Sequence, residues 1–178
     1  INQVKRFSDW AVDEIIYIDI SESNKYDNRR DDHKIKTSNS KLDLLSEISK
    51  NIFVPLAFGG GIRTTDDIQR VLQMGADKVV LNSGMFFDDL LLTQAVEIFG
   101  SQALVACVDY KDNFVYFEHG RSKSKYTVEQ WCSILEKQGI GEILLNDISR
   151  DGKSTGYDLK TISMIVDMVN IPVIALGG

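Results

Sequence analysis

DEIIYIDIS (residues 13–21) returns later in the chain as GEILLNDIS (141–149), and VPLAFGGG (54–61) returns as IPVIALGG (171–178). The first pair is offset by 128 positions and the second by 117, with the order kept. Two echoes in register are the mark of a duplicated architectural unit. Each echo is a short apolar run that ends in a polar residue or in glycine.

Working outward, similar apolar runs stand at 15–18, 53–58, 79–81, 104–108, 143–145 and 172–176. They are rich in Val, Ile and Leu and do not alternate with polar residues, as expected of parallel strands buried on both faces. Between them lie amphipathic stretches with defined ends. Thr64-Thr65-Asp66-Asp67 opens a helix that Gly75 closes, and Thr127 with Gln130 forms a capping box for a helix that Gly139 stops. Asp158 caps a helix beginning at Leu159. A partial helix precedes the first strand, over 2–11. Strand and helix alternate throughout, which predicts an α/β chain with right-handed crossovers.

An open doubly wound sheet is the rival architecture. The half-to-half repeat, and polar residues after several strands rather than at one switch point, favour a (β/α)₈ TIM barrel. Such a barrel takes about 250 residues. The 178 residues are therefore expected to form a single domain over 1–178 that lacks the first and last strands. Two segments break the pattern. Residues 21–40 form a polar insertion that accounts for the difference between the two offsets, and they are expected to be a mobile lid or a disordered loop. FVYFEHG, after the Asp109 strand, predicts a small hairpin.

Composition excludes several function classes. A net charge of −6 argues against a nucleic-acid surface. No apolar run approaches the roughly 18 residues of a membrane span, and no signal peptide is visible, although the chain opens on Ile1 rather than Met. Cys107 and Cys132 show no CxxC spacing, which fits reduced thiols in a cytoplasmic protein.

The ends of the apolar runs carry the chemistry: Asp19, Gly59-Gly60-Gly61, Asn82-Ser83, Asp109, Asn146-Asp147 with Arg150-Asp151-Gly152, and Gly177-Gly178. In a barrel these ends share one face, where active sites lie. A glycine turn after a strand lets backbone N–H groups converge on an anion, and a following helix N-terminus adds its dipole. Two related cradles imply a substrate with a phosphate at each end; the alternative is a pair of tight strand-to-helix turns. Asp109 follows ALVACV, so apolar surface flanks a carboxylate that such surroundings tune for proton transfer. Its other reading is a cap or a salt-bridged loop residue. Asp19 either orients substrate or caps a loop. His33 and His119 read as surface residues, and Trp10, Trp131, Phe86 and Phe87 as packing. No metal-ligand spacing and no GxGxxG occur, so no metal or cofactor is expected. At the opposite end Glu14, Lys78 and Glu142 begin strands, where charges directed into a barrel need partners.

DEIIYIDIS, PLAFGGGIRT, GADKVVLNS, FGSQALVACVDYK and GEILLNDISRDGKSTGYD resemble, in order, the strand motifs of the cyclase subunit of imidazole glycerol phosphate synthase. The resemblance runs over nearly the whole chain. It implies a barrel of the ribulose-phosphate-binding type built from two similar halves, and a lyase of histidine biosynthesis. It further implies a heterodimer with a glutaminase subunit whose ammonia closes an imidazole ring. The substrate would be a bis-phosphate, and the products imidazole glycerol phosphate and an aminoimidazole carboxamide ribotide.

By this resemblance Asp109 is one of two general acid/base aspartates. The other belongs to the first strand, ahead of Ile1, so the segment alone is expected not to turn over. Gly61, Asn82 and Ser83 match one phosphate site; Asp151, Gly152 and Gly178 match part of the other; Asp19, Gly60, Asn146 and Gly177 complete the substrate region. Glu14, Lys78 and Glu142 match an ammonia gate, and Asp77 a position facing the partner. Some residues depart from the pattern. Asn146-Asp147 stands where Thr-Ser is common, Leu176 replaces a small hydroxyl residue, and the insertion after Asp19 is unusual. Leu176 before Gly177-Gly178 and Asn146 at its strand's end resemble paralogues that deliver ammonia for amidation of a bacterial surface-polysaccharide sugar. A catalytically silent, ammonia-conducting scaffold is a third reading.

Overall fold

The computed structural model describes residues 2–10, 12–20 and 41–178; the inserted segment 21–40, with His33, lies outside the described residues. Helix α1 (Asn2–Asp9) leads into strand β1 (Ile15–Ile18), and α2 (Lys41–Ser49) into β2 (Leu56–Gly59). Helix α3 (Thr65–Gln73) precedes β3 (Lys78–Leu81), and α4 (Gly84–Phe87) and α5 (Leu91–Phe99) precede β4 (Leu104–Lys111). A hairpin of β5 (Phe114–Phe117) and β6 (Ser122–Thr127) follows, then α6 (Val128–Lys137), β7 (Glu142–Asp147), α7 (Leu159–Met168) and β8 (Val173–Leu176).

The helix ends follow from local chemistry. Thr64 Oγ1 accepts from the Asp67 N–H while Asp67 Oδ2 accepts from the Thr64 N–H, both at 3.1 Å, and Thr127 and Gln130 repeat this box. Asp158 accepts from the Thr161 N–H at the start of α7. The second apolar run forms strand only from Leu56. Phe53 is 89% exposed, because the chain is still outside the sheet until Pro55 accepts the first β1 hydrogen bond.

The parallel strands lie in the order β1-β2-β3-β4-β7-β8, each beside its predecessor. Right-handed crossovers in a monotonic order put every helix on one face. A flat sheet of that kind would leave its other face wet. Here Ala57, Val80, Val105, Cys107 and Leu144 on that other face are buried against one another, with Ile16, Ile18 and Ile174 beside them. The sheet therefore curls around its own second core, as a (β/α)₈ barrel does, and the order has no switch point. The larger core lies between strands and helices, around Leu56, Phe58, Val79, Leu104 and Ile143.

Register fixes what faces inward. Ile16 pairs with Ala57, Ala57 with Lys78, Val80 with Val105, Val105 with Glu142 and Leu144 with Ile174. Stepping by two along alternate strands gives layers: Glu14, Lys78 and Glu142 at the N-terminal end, then Ile16, Val80 and Leu144, then Ile18, Asn82 and Asn146. Alternate strands supplying each layer is the packing rule of these barrels. Among the described residues no helix is long and apolar enough to cross a membrane.

The hairpin is placed by a vacancy on β4. Strand β3 pairs with β4 only as far as Leu81 and Ala106, and β5 takes over antiparallel from Asp109, opposite Tyr116. Phe86 stacks on Phe117 and on Trp131, at centroid distances of 4.6 and 4.5 Å, and Trp131 stacks on Tyr126 at 5.0 Å. These rings pin the hairpin to α4 and α6, so Phe86 and Trp131 serve packing. Trp10 does not: it is 66% exposed, touching Phe7 edge-on at the end of α1.

Candidate functional site

Asp109 stands at the C-terminal end of the barrel, one layer above Cys107. Its neighbours on both sides are amides from the flanking strands. Asn82 Nδ2 donates to Asp109 Oδ2 at 2.9 Å, and Asn146 Nδ2 donates to Oδ1 at 2.7 Å. Cys107 Sγ lies 3.6 Å from Oδ1 and donates its weak S–H there. Burial pushes the Asp109 carboxyl above its ordinary value; the amides of Asn146 and Asn82, the thiol and nearby His119 pull the other way without cancelling it. The same burial, with the Asp109 charge, holds the Cys107 thiol well above its usual value. A carboxyl so poised, with neutral donors around it, has a raised proton affinity and can both give and take a proton.

A chain of contacts runs from this carboxylate to the hairpin. Ser83 Oγ donates to Asn82 Oδ1 at 3.2 Å and accepts from the Glu118 N–H at 2.8 Å. Glu118 and His119 hold left-handed backbone angles (φ 53° and 59°), which is how the tip turns onto Ser83. His119 is exposed there, as its polar surroundings predicted.

The glycine turns flank this centre. Gly60, at φ 116°, passes so close to Asp19 that a Cβ would run into the Asp19 carbonyl. Lys41, the first residue of α2, donates Nζ to the Gly60 carbonyl at 3.0 Å, and among the described residues it is the one group near the open side of Gly61. Across the barrel, Gly177 (φ 81°) lies where a side chain would meet the Asp147 backbone and Asn146 Oδ1. Gly178 lies against Tyr157. Asp147 is buried, accepts from the Ser149 N–H and Oγ at 2.9 and 2.6 Å, and forms an ion pair with Arg150 Nε at 3.2 Å. It thus fixes the loop that presents Asp151 and Gly152, both exposed.

At the opposite mouth Lys78 Nζ donates to Glu142 Oε1 at 2.6 Å and to Glu14 Oε2 at 3.0 Å. Burial alone would lower the lysine, but the hydrogen bonds to Glu142 and Glu14 outweigh it and hold the ammonium above its ordinary range. Glu14 Oε1 and Glu142 Oε2 are buried without a hydrogen-bond partner among the described residues. Asp77, the next residue out, accepts from the Leu56 N–H at 2.9 Å and so finishes the start of β2.

Asp109, Asn82, Ser83 and Asn146 thus form one connected cluster, while the two glycine turns border it and the Glu–Lys–Glu ring lies at the far end. Lys41, Cys107 and Glu118 were missed. Lys41 sits beyond the insertion, Cys107 reads as core, and the Glu118 contact is made by its backbone. A groove of about 510 Å³ on the outer surface between β6 and α6, bordered by Lys125 and Lys137, is remote from this chemistry.

Comparison with known proteins bears on the family. The histidine biosynthesis protein family matches residues 1–178. Among curated relatives, the imidazole glycerol phosphate synthase subunit HisF of Hydrogenobaculum sp. (strain Y04AAS1) is 40% identical over 177 residues, covering 97% of this chain and 66% of that protein. The proteins of the same name from Alkaliphilus metalliredigens (strain QYMF) and Myxococcus xanthus (strain DK1622) are each 37% identical, covering 98% and 100% of this chain and 67% and 68% of their own lengths. The chain spans about two thirds of the length of these relatives, and their names do not favour the surface-polysaccharide alternative. With its curled parallel sheet and its match along the whole sequence, the chain belongs to the histidine biosynthesis protein family.

Proposed function

We propose that the chain is the larger part of a cyclase subunit of the imidazole glycerol phosphate synthase type, organised as one domain. In this reading ammonia from a glutaminase partner enters at the Glu14–Lys78–Glu142 mouth and reacts at Asp109. A bis-phosphate ribulosyl substrate spans the C-terminal face. One phosphate rests by Gly60, Gly61 and Ser83 with Lys41 beside it, the other by Asp151, Gly152, Gly177 and Gly178. Asp19 borders the first cradle. The products are imidazole glycerol phosphate and aminoimidazole carboxamide ribotide.

The observation that carries this reading is the Asp109 carboxyl, desolvated at a strand end and held by one amide on each side. Ring closure needs a group that removes a proton from nitrogen and returns one to a departing oxygen, and a carboxyl with a raised proton affinity does both. Asn82 and Asn146 hold it in place, and neither titrates. Asp77 and the charged ring belong to the partner face.

The test is Asp109→Asn in the full-length protein, assayed with added ammonium salt. The change keeps size and removes proton transfer, so kcat should fall about 10²–10⁴-fold with KM within a few-fold. Turnover within a few-fold of the unsubstituted protein would remove Asp109 from the mechanism.

A further inference from the structure

The two oxygens of the Asp109 carboxylate are not equivalent. A carboxylate offers about four lone-pair positions, two on each oxygen. Oδ1 receives the Asn146 N–H at 2.7 Å and the Cys107 S–H at 3.6 Å, whereas Oδ2 receives only the Asn82 N–H at 2.9 Å. Among the described residues three positions are taken, and the open one belongs to Oδ2.

We infer that Oδ2 is the atom through which Asp109 takes and returns its proton, and that Asn146 and Cys107 are positioning residues that hold Oδ1 as the carbonyl oxygen of the neutral acid. The relevance to turnover rests on the acid/base reading above; where the proton sits does not.

The surroundings keep the arrangement fixed. Turning the Asn146 amide over would set its oxygen against the carboxylate, and Gly177 leaves no side chain on the other side to compete for it. Cys107 is buried beside a carboxylate, so its thiol keeps its hydrogen and remains a donor. On the Oδ2 side, Ser83 donates to Asn82 Oδ1 and so points the Asn82 N–H at Asp109. Among the described residues, the titratable groups that face Asp109 are Cys107 on its own strand and His119 on the hairpin. Proton transfer then balances simply. A substrate N–H or O–H gives its proton to Oδ2 and keeps the bonding electron pair, the C–Oδ1 bond gains double-bond character, and the reverse step protonates the departing atom.

Infrared difference spectroscopy on the full-length protein, titrated through the acid range, tests this. Asp109→Asn identifies the carbonyl band of the protonated Asp109. If Oδ1 is the carbonyl oxygen, its two donors lower that band, so Asn146→Leu raises its frequency and Cys107→Ala raises it by less. Asn82→Leu moves it least, and Asn146→Thr, whose hydroxyl can donate, moves it back toward the parent position. A band that ignores Asn146→Leu and Cys107→Ala but shifts with Asn82→Leu places the proton on Oδ1 and overturns the inference. Should Asn146→Leu fail to fold, the Cys107→Ala and Asn82→Leu comparison decides alone. Full turnover by Asp109→Asn would sink the proposed function and leave the band assignment intact, so the two failures are distinguishable.

Discussion

Replacing Lys78 with methionine separates the ionic role of the N-terminal ring from its bulk, since the unbranched stem is kept and the ammonium is lost. That ammonium lies 2.6 Å from Glu142 and 3.0 Å from Glu14, and the three side chains retain only 20–22% of their exposure. Without it two carboxylates face each other with nothing between them. Removing one partner of a buried pair costs about 3–5 kcal/mol, and of an exposed pair about 0–1. With a fifth of the surface still wet, about 2–3 kcal/mol near pH 7 is expected, between those limits. At roughly 2–4 °C per kcal/mol for a chain of this size, Tm should fall by about 5–10 °C. The pH dependence has a definite sign. The folded state holds the Lys78 proton more tightly than the unfolded chain does. The stabilisation is therefore complete below the ordinary lysine value and disappears as pH rises through the folded one. Thermal unfolding followed by circular dichroism from neutral to strongly alkaline pH should show the gap between parent and Lys78→Met closing at the alkaline end. A drop of about 1 °C or less at pH 7, or parallel curves throughout, would refute the reasoning.

Burial makes ionisation of the Asp109 carboxyl unfavourable in the folded state, so the parent should lose stability relative to Asp109→Asn as pH rises from the ordinary carboxylate value through the raised one. Melts of the two proteins from acid to alkaline pH check the sign, and parallel curves would refute it. Gly60→Ala combines a left-handed backbone with a collision against the Asp19 carbonyl and should cost about 2–5 kcal/mol. Gly152→Ala, at φ 70° with open space around it, should cost only about 1–2 kcal/mol, and urea titrations of the two variants should differ accordingly. With a glutaminase partner present, Lys78→Ala should change glutamine-dependent turnover more than turnover with ammonium salt; equal effects would leave the ring a structural ion cluster only.

What could be read in the sequence was what is local or repeated. The helix start at Thr64 and the capping box at Thr127 involve residues three apart, so local spacing made both legible, and the structure adds a full box at Thr64. The echoed phrases placed Glu14 and Glu142 at matching strand starts, and with Lys78 they meet as read. The convergence of Asn82 and Asn146 on Asp109 was not legible, because it depends on strand adjacency across 27 and 37 residues. Lys41 escaped for the same reason, its contact with Gly60 spanning 19 residues. Phe53 looked like strand because it adjoins an apolar run, yet hydrophobicity does not say where pairing begins. Trp10 looked like packing, but α1 leaves it outside the core.

The inner wall of the barrel is not equally thick all round. Strands β1, β3, β4, β7 and β8 line it with Ile16, Ile18, Val80, Val105, Leu144 and Ile174, and β4 adds Cys107, while β2 places the small Ala57 there, with Gly59 above it. A small molecule crossing from the charged ring toward Asp109 would find its least obstructed track off-centre, along the side of β2. Between the ring and the amide layer that track is lined by hydrocarbon and a buried thiol, with nothing to replace the water around an ion. Ammonium would have to shed its hydration for no return, whereas neutral ammonia loses little. In the proposed function such an interior would act as a filter on protonation state, passing ammonia and leaving the extra proton at the Glu–Lys–Glu entrance.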